Sequence, residues 1–90
     1  RTHFYYIGQL FENHDDFSDA AYAYSRAKDK INFQICYEKA KQNIDRIGDG
    51  RQQYIFGIVA RNQNEPDLAR YLFTKSLQMA NLWQKISLMN

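Results

Sequence analysis

The pattern of apolar and polar positions predicts a helical hairpin at the start of the chain. Apolar side chains recur at three- and four-residue intervals in residues 2–13 and again from residue 17 onward, so each segment forms one apolar face as an α-helix. The short polar stretch between them predicts a tight turn. The two apolar stripes are Phe4, Ile7 and Phe11 in the first segment and Ala20, Tyr24 and Ala27 in the second.

Small and acidic residues add detail to the predicted hairpin. A glycine inside a helix costs about 1 kcal/mol relative to alanine, so we interpret Gly8 as a point of close packing, opposite the small residue Ala20. Asp15 and Asp16, together with Asp19, can cap the second helix and place negative charge where its dipole favours it.

The length of the second helix is open to two interpretations. Residues 18–47 contain no Gly and no Pro, and the apolar stripe changes face near Ile31. We favour one long helix over 17–47, ended by a left-handed cap at Gly48-Asp49-Gly50, because an extra helix would invert the direction of the next hairpin. The alternative is a break between Asp29 and Asn32 that gives two helices.

The hairpin pattern recurs 49 positions later in a looser form. Phe56-Gly57 corresponds to Ile7-Gly8, and Pro66 suits the first turn of a helix. We therefore expect helices over 51–62 and 66–80. Residues 81–90 prolong the last helix or start another.

These residues resemble a tetratricopeptide (TPR) repeat, in which an aromatic, Leu-Gly and a second aromatic precede Ala, an aromatic and Ala. The first hairpin departs from the pattern at the closing Pro, where Asn32 stands, and at the turn Gly, replaced by Asp15. The resemblance implies an all-α fold of TPR-like antiparallel hairpins in a right-handed α-solenoid. Residues 1–90 are then one repeat domain, with repeats at 2–47 and 51–80 and a cap or extension at 81–90, cut from a longer chain.

The resemblance also implies a binding site. In TPR proteins the first helices of the repeats line a concave groove, and the family's ligand-facing positions fall on Tyr5, Gln9, Glu12, Tyr54, Ile58 and Arg61. The TPR clamp for acidic tails uses Lys and Asn where this chain has Tyr5 and Gln9, so the groove favours a helix or an apolar peptide. Alternatively, these residues pack against a neighbouring repeat.

Charge and composition argue against several other partners. The 12 basic and 10 acidic residues are interleaved and leave a net charge of +2, which gives no long-range field for nucleic acid or anionic lipid. No apolar run approaches the roughly 20 residues that span a bilayer. A lone cysteine, Cys36, predicts an intracellular and cytoplasmic setting.

No set of residues predicts catalysis, a metal or a cofactor. His3 and His14 are eleven positions apart, or about 16 Å along one helix, and Gly48-x-Gly50 lacks the rest of a phosphate loop. The predicted function is a non-enzymatic protein-interaction scaffold for a partner protein or peptide, with no small-molecule substrate. The alternative is a peptide- or effector-sensing domain of a transcription-associated regulator, which Tyr37-Glu38-Lys39-Ala40 followed by Ile47-Gly48-Asp49 also resembles.

The end of the chain predicts an uncovered apolar surface. Trp83, Ile86, Leu88 and Met89 follow the second hairpin without a further helix to pack on. Further repeats or a second copy of the chain would cover them.

Overall fold

A computed structural model describes residues 2–89, which form five α-helices and one short 3-10 turn and contain no β-strand. The predicted all-α class is confirmed. The helices are α1 (Thr2–Asn13), α2 (Phe17–Ala27), α3 (Lys30–Gln42), α4 (Gly50–Asn62) and α5 (Pro66–Met89), with the 3-10 turn at Ile44–Arg46.

The chain divides into two compact units, one ending at Ile47 and the other beginning at Gly48. In the first unit α2 packs against both α1 and α3, and in the second unit α4 packs against α5. The buried apolar residues of the first unit include Ala20, Ala21, Ala23, Tyr24, Phe33, Cys36, Tyr37 and Ala40. Those of the second unit include Phe56, Val59, Ala60, Ala69 and Leu72.

The prediction of one long helix over 17–47 was wrong. The second helix ends at Ala27, Lys28 takes a left-handed conformation with φ 63°, and α3 begins at Lys30. Asp29 supplies the physical reason, because its Oδ1 accepts a hydrogen bond from the Asn32 N–H at 3.0 Å. This side-chain bond satisfies a backbone N–H at the start of a new helix, so it competes with continuation of the preceding helix. The break therefore lies at the start of the segment that the alternative interpretation named.

The left-handed cap predicted at Gly48-Asp49-Gly50 was also wrong. Helix α3 ends at Gln42, and no glycine of residues 2–89 has a positive φ. Asp49 instead begins the next helix, since its Oδ1 accepts a hydrogen bond from the Arg51 N–H at 2.8 Å.

One turn geometry closes three of the helices. Asp15, Lys28 and Asn64 have φ values of 59°, 63° and 61°. In each turn the next residue donates its N–H to the carbonyl five positions earlier, which is the long bond of a Schellman motif. These bonds run from Asp16 to Phe11 at 2.9 Å, from Asp29 to Tyr24 at 3.1 Å and from Glu65 to Ala60 at 3.0 Å.

Replacing Lys28 by glycine is expected to raise the free energy of unfolding by about 0.5 to 1 kcal/mol. A left-handed conformation costs an L-residue roughly 1–2 kcal/mol, whereas glycine adopts it freely. Part of this gain is offset because glycine also raises the conformational entropy of the unfolded chain. Urea denaturation measures the change. The control is Lys30→Gly, which places glycine in the first turn of α3 and should lower stability; a lower midpoint for Lys28→Gly would contradict the turn.

Gly8, which the sequence predicted at a point of close packing, and its counterpart Gly57 both lie against aromatic rings. A Cβ on Gly8 would lie 2.8 Å from Cε1 of Tyr24, and a Cβ on Gly57 would lie 2.6 Å from Cε1 of Phe73. Close packing at Gly8 is therefore confirmed, although the group that approaches it is the Tyr24 ring.

The hairpins α1–α2 and α4–α5 share several contacts. Besides the glycine contacts and the turns at Asp15 and Asn64, each pairs a tyrosine of its first helix with a ring of its second. The ring centroids of Tyr5 and Tyr24 are 6.1 Å apart, and those of Tyr54 and Phe73 are 5.7 Å apart. The displacement of 49 positions found in the sequence holds for each of these pairs.

Candidate functional site

Three of the predicted site residues lie along α1 in the first unit. Gln9 is exposed, and its Nε2 donates a hydrogen bond to the Tyr5 hydroxyl at 3.1 Å. Glu12 is half-buried and accepts a hydrogen bond from the buried Tyr24 hydroxyl at 2.7 Å. Tyr5 and Gln9 thus form one polar-aromatic surface, while Glu12 links α1 to α2.

The buried groups next to Glu12 are held in their neutral forms. Burial, followed by the hydrogen bond to Glu12, raises the pKa of the Tyr24 hydroxyl well above its usual value. Burial, with a smaller contribution from the nearby Glu12 carboxylate, raises the pKa of the Cys36 thiol to about 11. Because the thiolate is the reactive form, Cys36 is a packing residue of the core.

The other three predicted site residues lie along α4 in the second unit. Tyr54 is 54% exposed, with one side of its ring against Phe73. Ile58 is half-buried and Arg61 is exposed. The three- and four-residue spacing places them along one side of α4, but Tyr54 and Arg61 open onto different clefts and Ile58 lines neither.

The first of these, the Trp83 cleft, lies where α5 passes the start of α4. It has a volume of about 400 Å³, and its walls include Tyr54, Met79 and Trp83. Ser76 fixes the two helices here, because its hydroxyl donates a hydrogen bond to the Gly50 carbonyl at 2.8 Å. Trp83 was identified in the sequence only as an uncovered apolar residue, and its exposure is the signal that could have placed it in a site.

The second, the Arg61 cleft, lies at the other end of the α4–α5 hairpin and has a volume of about 370 Å³. Sequence reasoning missed every wall residue except Arg61. Its walls are formed by Arg61, Pro66, Ala69, Arg70, Phe73, Thr74 and Leu77.

The C-terminal half of α5 is exposed throughout residues 81–89. Trp83, Ile86, Leu88 and Met89 are all exposed apolar residues, as the sequence predicted. Helix α5 continues to Met89, so residues 81–89 prolong the last helix, which was one of the two outcomes that the sequence allowed. An apolar helical surface of this length is typical of contact sites for other protein segments.

The described residues contain neither a metal cluster nor a membrane-spanning helix. Within residues 2–89, no three His, Cys, Asp or Glu side chains lie close enough together to hold a metal ion. No helix in that range is both long and apolar enough to cross a bilayer. What the two units present is a set of amphipathic helical faces with exposed aromatic side chains. The chain matches no family model, no curated protein and no solved structure.

Proposed function

We propose that this chain is a TPR-like interaction module that binds helical or apolar segments of a partner protein, with one binding face on α1 in the first unit and another on α4 in the second. The observation that carries the proposal is the repeated arrangement of a tyrosine against a second ring, in which Tyr5 is half-buried and Tyr54 is 54% exposed. It occurs as Tyr5 beside Tyr24 and as Tyr54 beside Phe73. Repeated hairpins of this kind are the units from which helical solenoids stack.

Supported tyrosines suit partner binding for an energetic reason. A tyrosine offers a large apolar surface with a polar tip, and contact with a neighbouring ring already restricts its rotamers. Less conformational entropy is then lost when a partner docks. Aromatic residues of this kind commonly dominate the binding energy of an interface.

The chemistry of the faces favours an apolar or helical segment over an acidic tail. Helix α1 contains no Lys or Arg, and the Glu12 carboxylate accepts a hydrogen bond from Tyr24. Tyr54 and the half-buried Ile58 add further apolar surface on α4. A helix that inserts apolar side chains at three- and four-residue spacing is the partner that such a surface fits best.

The test is the double variant Tyr5→Ala/Tyr54→Ala. Peptides selected from a displayed random library against the full chain provide the ligands, and fluorescence anisotropy gives their Kd. We expect the double variant to weaken binding by at least about tenfold, since truncating an anchor residue costs more than 1 kcal/mol. Its circular dichroism spectrum should match that of the parent.

The matched control is Tyr22→Ala/Tyr71→Ala. Like the test variant, it removes one half-buried tyrosine and one exposed tyrosine, but it removes them from α2 and α5, outside the proposed faces. The control should leave Kd nearly unchanged. Equal losses for the two double variants, or a larger loss for the control, would show that the α1 and α4 faces are not the site.

A further inference from the structure

The two hairpins differ in what covers them. In the first unit α3 packs on α2, and Ala21 and Tyr24 of α2 are buried. The counterparts of these residues, 49 positions later, are Arg70 and Phe73, which are exposed and half-buried. Both line the Arg61 cleft. This cleft is therefore the open counterpart of a surface that a helix covers in the first unit.

Contacts of α3 show how the covered surface is filled. The Lys39 ammonium lies 5.1 Å from the centre of the Phe17 ring, and Phe17 is the counterpart of Pro66 in the cleft wall. Cys36 lies beside Glu12, and Glu12 is the counterpart of Arg61. The residues that α3 buries are Phe33, Cys36, Tyr37 and Ala40.

The open cleft keeps part of the apolar floor of its counterpart and changes the charge. Ala69 and Phe73 correspond to Ala20 and Tyr24, whereas Leu77, which is 62% exposed, stands where the first unit has the exposed Lys28. Two cationic residues, Arg61 and Arg70, stand where the first unit has Glu12 and Ala21.

The carboxylate of Asp67 partly offsets this charge. Asp67 approaches Arg70 at 3.7 Å, but the side chains of both residues are more than three-quarters exposed, so the pair is weak. Arg61 lines the same cleft. An occupant with a carboxylate opposite Arg61 would therefore gain favourable charge pairing.

We propose that the Arg61 cleft is the docking site for an amphipathic α-helix of a partner protein. That helix carries apolar side chains at the spacing of Phe33, Tyr37 and Ala40 and a carboxylate at the position equivalent to Cys36. The surface lies between α4 and α5 within the second unit. It does not require the faces of Tyr5 and Tyr54, so the two proposals can fail separately.

Charge repulsion also makes the end of α5 an unfavourable occupant of the Arg61 cleft. Leu82, Ile86 and Met89 have the spacing of the apolar residues of α3, as the displacement of 49 positions shows. The counterpart of Cys36, however, is Lys85, which would be placed opposite Arg61. Like charges at an interface are unfavourable. A second copy of the chain that used the same segment would meet the same repulsion.

The chain itself provides the probe for this site. Two peptides of residues 30–42 carry Cys36→Glu or Cys36→Lys, and a covalent link between the exposed positions 34 and 38 holds both helical. Fluorescence anisotropy with the full chain gives each Kd. We expect the Glu peptide to bind at least about tenfold more tightly than the Lys peptide, and Arg61→Glu to invert this preference. Tyr5→Ala, which alters the α1 face in the first unit, should leave the preference intact.

Several results would overturn the proposal. These are the absence of peptide binding to the parent chain, equal affinity for both peptides, or a preference that survives Arg61→Glu. The same holds if the chain dimerises in sedimentation equilibrium and Leu82→Ser/Ile86→Ser abolishes the dimer, because the end of α5 would then be the occupant. The peptide could instead displace α3 from the first unit. Because Glu12 stands at that site, the Lys peptide would then bind more tightly than the Glu peptide, and this outcome would also contradict the proposal.

Discussion

Replacing Gly8 by leucine is expected to lower the free energy of unfolding by about 3 kcal/mol, the upper end of the usual cost of overpacking. Even the first added carbon would lie 2.8 Å from the Tyr24 ring. That ring is almost completely buried, and its hydroxyl is bonded to Glu12. It cannot rotate away without breaking this bond, so α1 and α2 must separate.

Urea denaturation followed by helical circular dichroism measures the Gly8→Leu effect. Gly48→Leu is the matched control, because a Cβ at Gly48 meets no atom within 4 Å and its φ is not positive. The control should shift the midpoint only slightly. Comparable shifts for the two variants would show that Gly8 is not a point of close approach.

Truncating Tyr24 to alanine is expected to cost about 3 to 5 kcal/mol, the range for removing a buried aromatic ring. Tyr24 is 1% exposed and contacts Gly8, Tyr5 and Glu12. A small protein is stable by only about 5–15 kcal/mol. The variant should therefore lose most of the structure of the first unit at modest urea concentrations.

Tyr24→Phe separates the ring from its hydroxyl. It keeps the packing and removes the bond to Glu12, so we expect a loss of about 1.5 to 3 kcal/mol, the usual range for a hydrogen bond to a charged group. Tyr22→Phe is the control on the same helix, since the Tyr22 hydroxyl accepts only a long 3.4 Å bond from Arg26. If Tyr24→Phe and Tyr22→Phe were equally stable, the Tyr24–Glu12 bond would contribute nothing to the hairpin.

Local spacing was sufficient to predict the hairpins. The helix over 2–13, the start of the next at Phe17 and the start of α5 at Pro66 all match the structure. Apolar residues at helical spacing and turn residues act within one or two turns of chain, so a sequence reveals them directly. The close approach at Gly8 was predictable for the same reason.

The break at Lys28 could not be predicted from residue spacing, because it depends on whether an N-cap at Asp29 is more favourable than a continued helix. Neither Gly nor Pro marks it, and the Asp29 cap decides it. At the corresponding place in the second unit, Leu77 and Gln78 replace Lys28 and Asp29. Glutamine lacks the short side chain of a favoured N-cap, and α5 continues without a break.

The site residues depended on contacts between helices. Glu12 was predicted to face a ligand, but it bonds to Tyr24 of the neighbouring helix. The Arg61 cleft is open because, within residues 48–89, no helix folds back over Phe73 and Leu77. Both facts depend on which helices cover which surfaces in the folded protein. The spacing of apolar residues along a single helix does not reveal that.

Because the Arg61 cleft is open, the stability of the second unit depends on concentration in a way that the stability of the first unit does not. In the first unit the covering helix is tethered by a two-residue turn, so its effective concentration is fixed by the chain and does not depend on dilution. A cover that arrives from another molecule obeys mass action instead, and it stabilises the unit by RT ln(1 + [L]/Kd). With the Arg61 cleft occupied in this way, the resistance of α4 and α5 to unfolding would follow the abundance of the partner, while that of α1, α2 and α3 would stay constant.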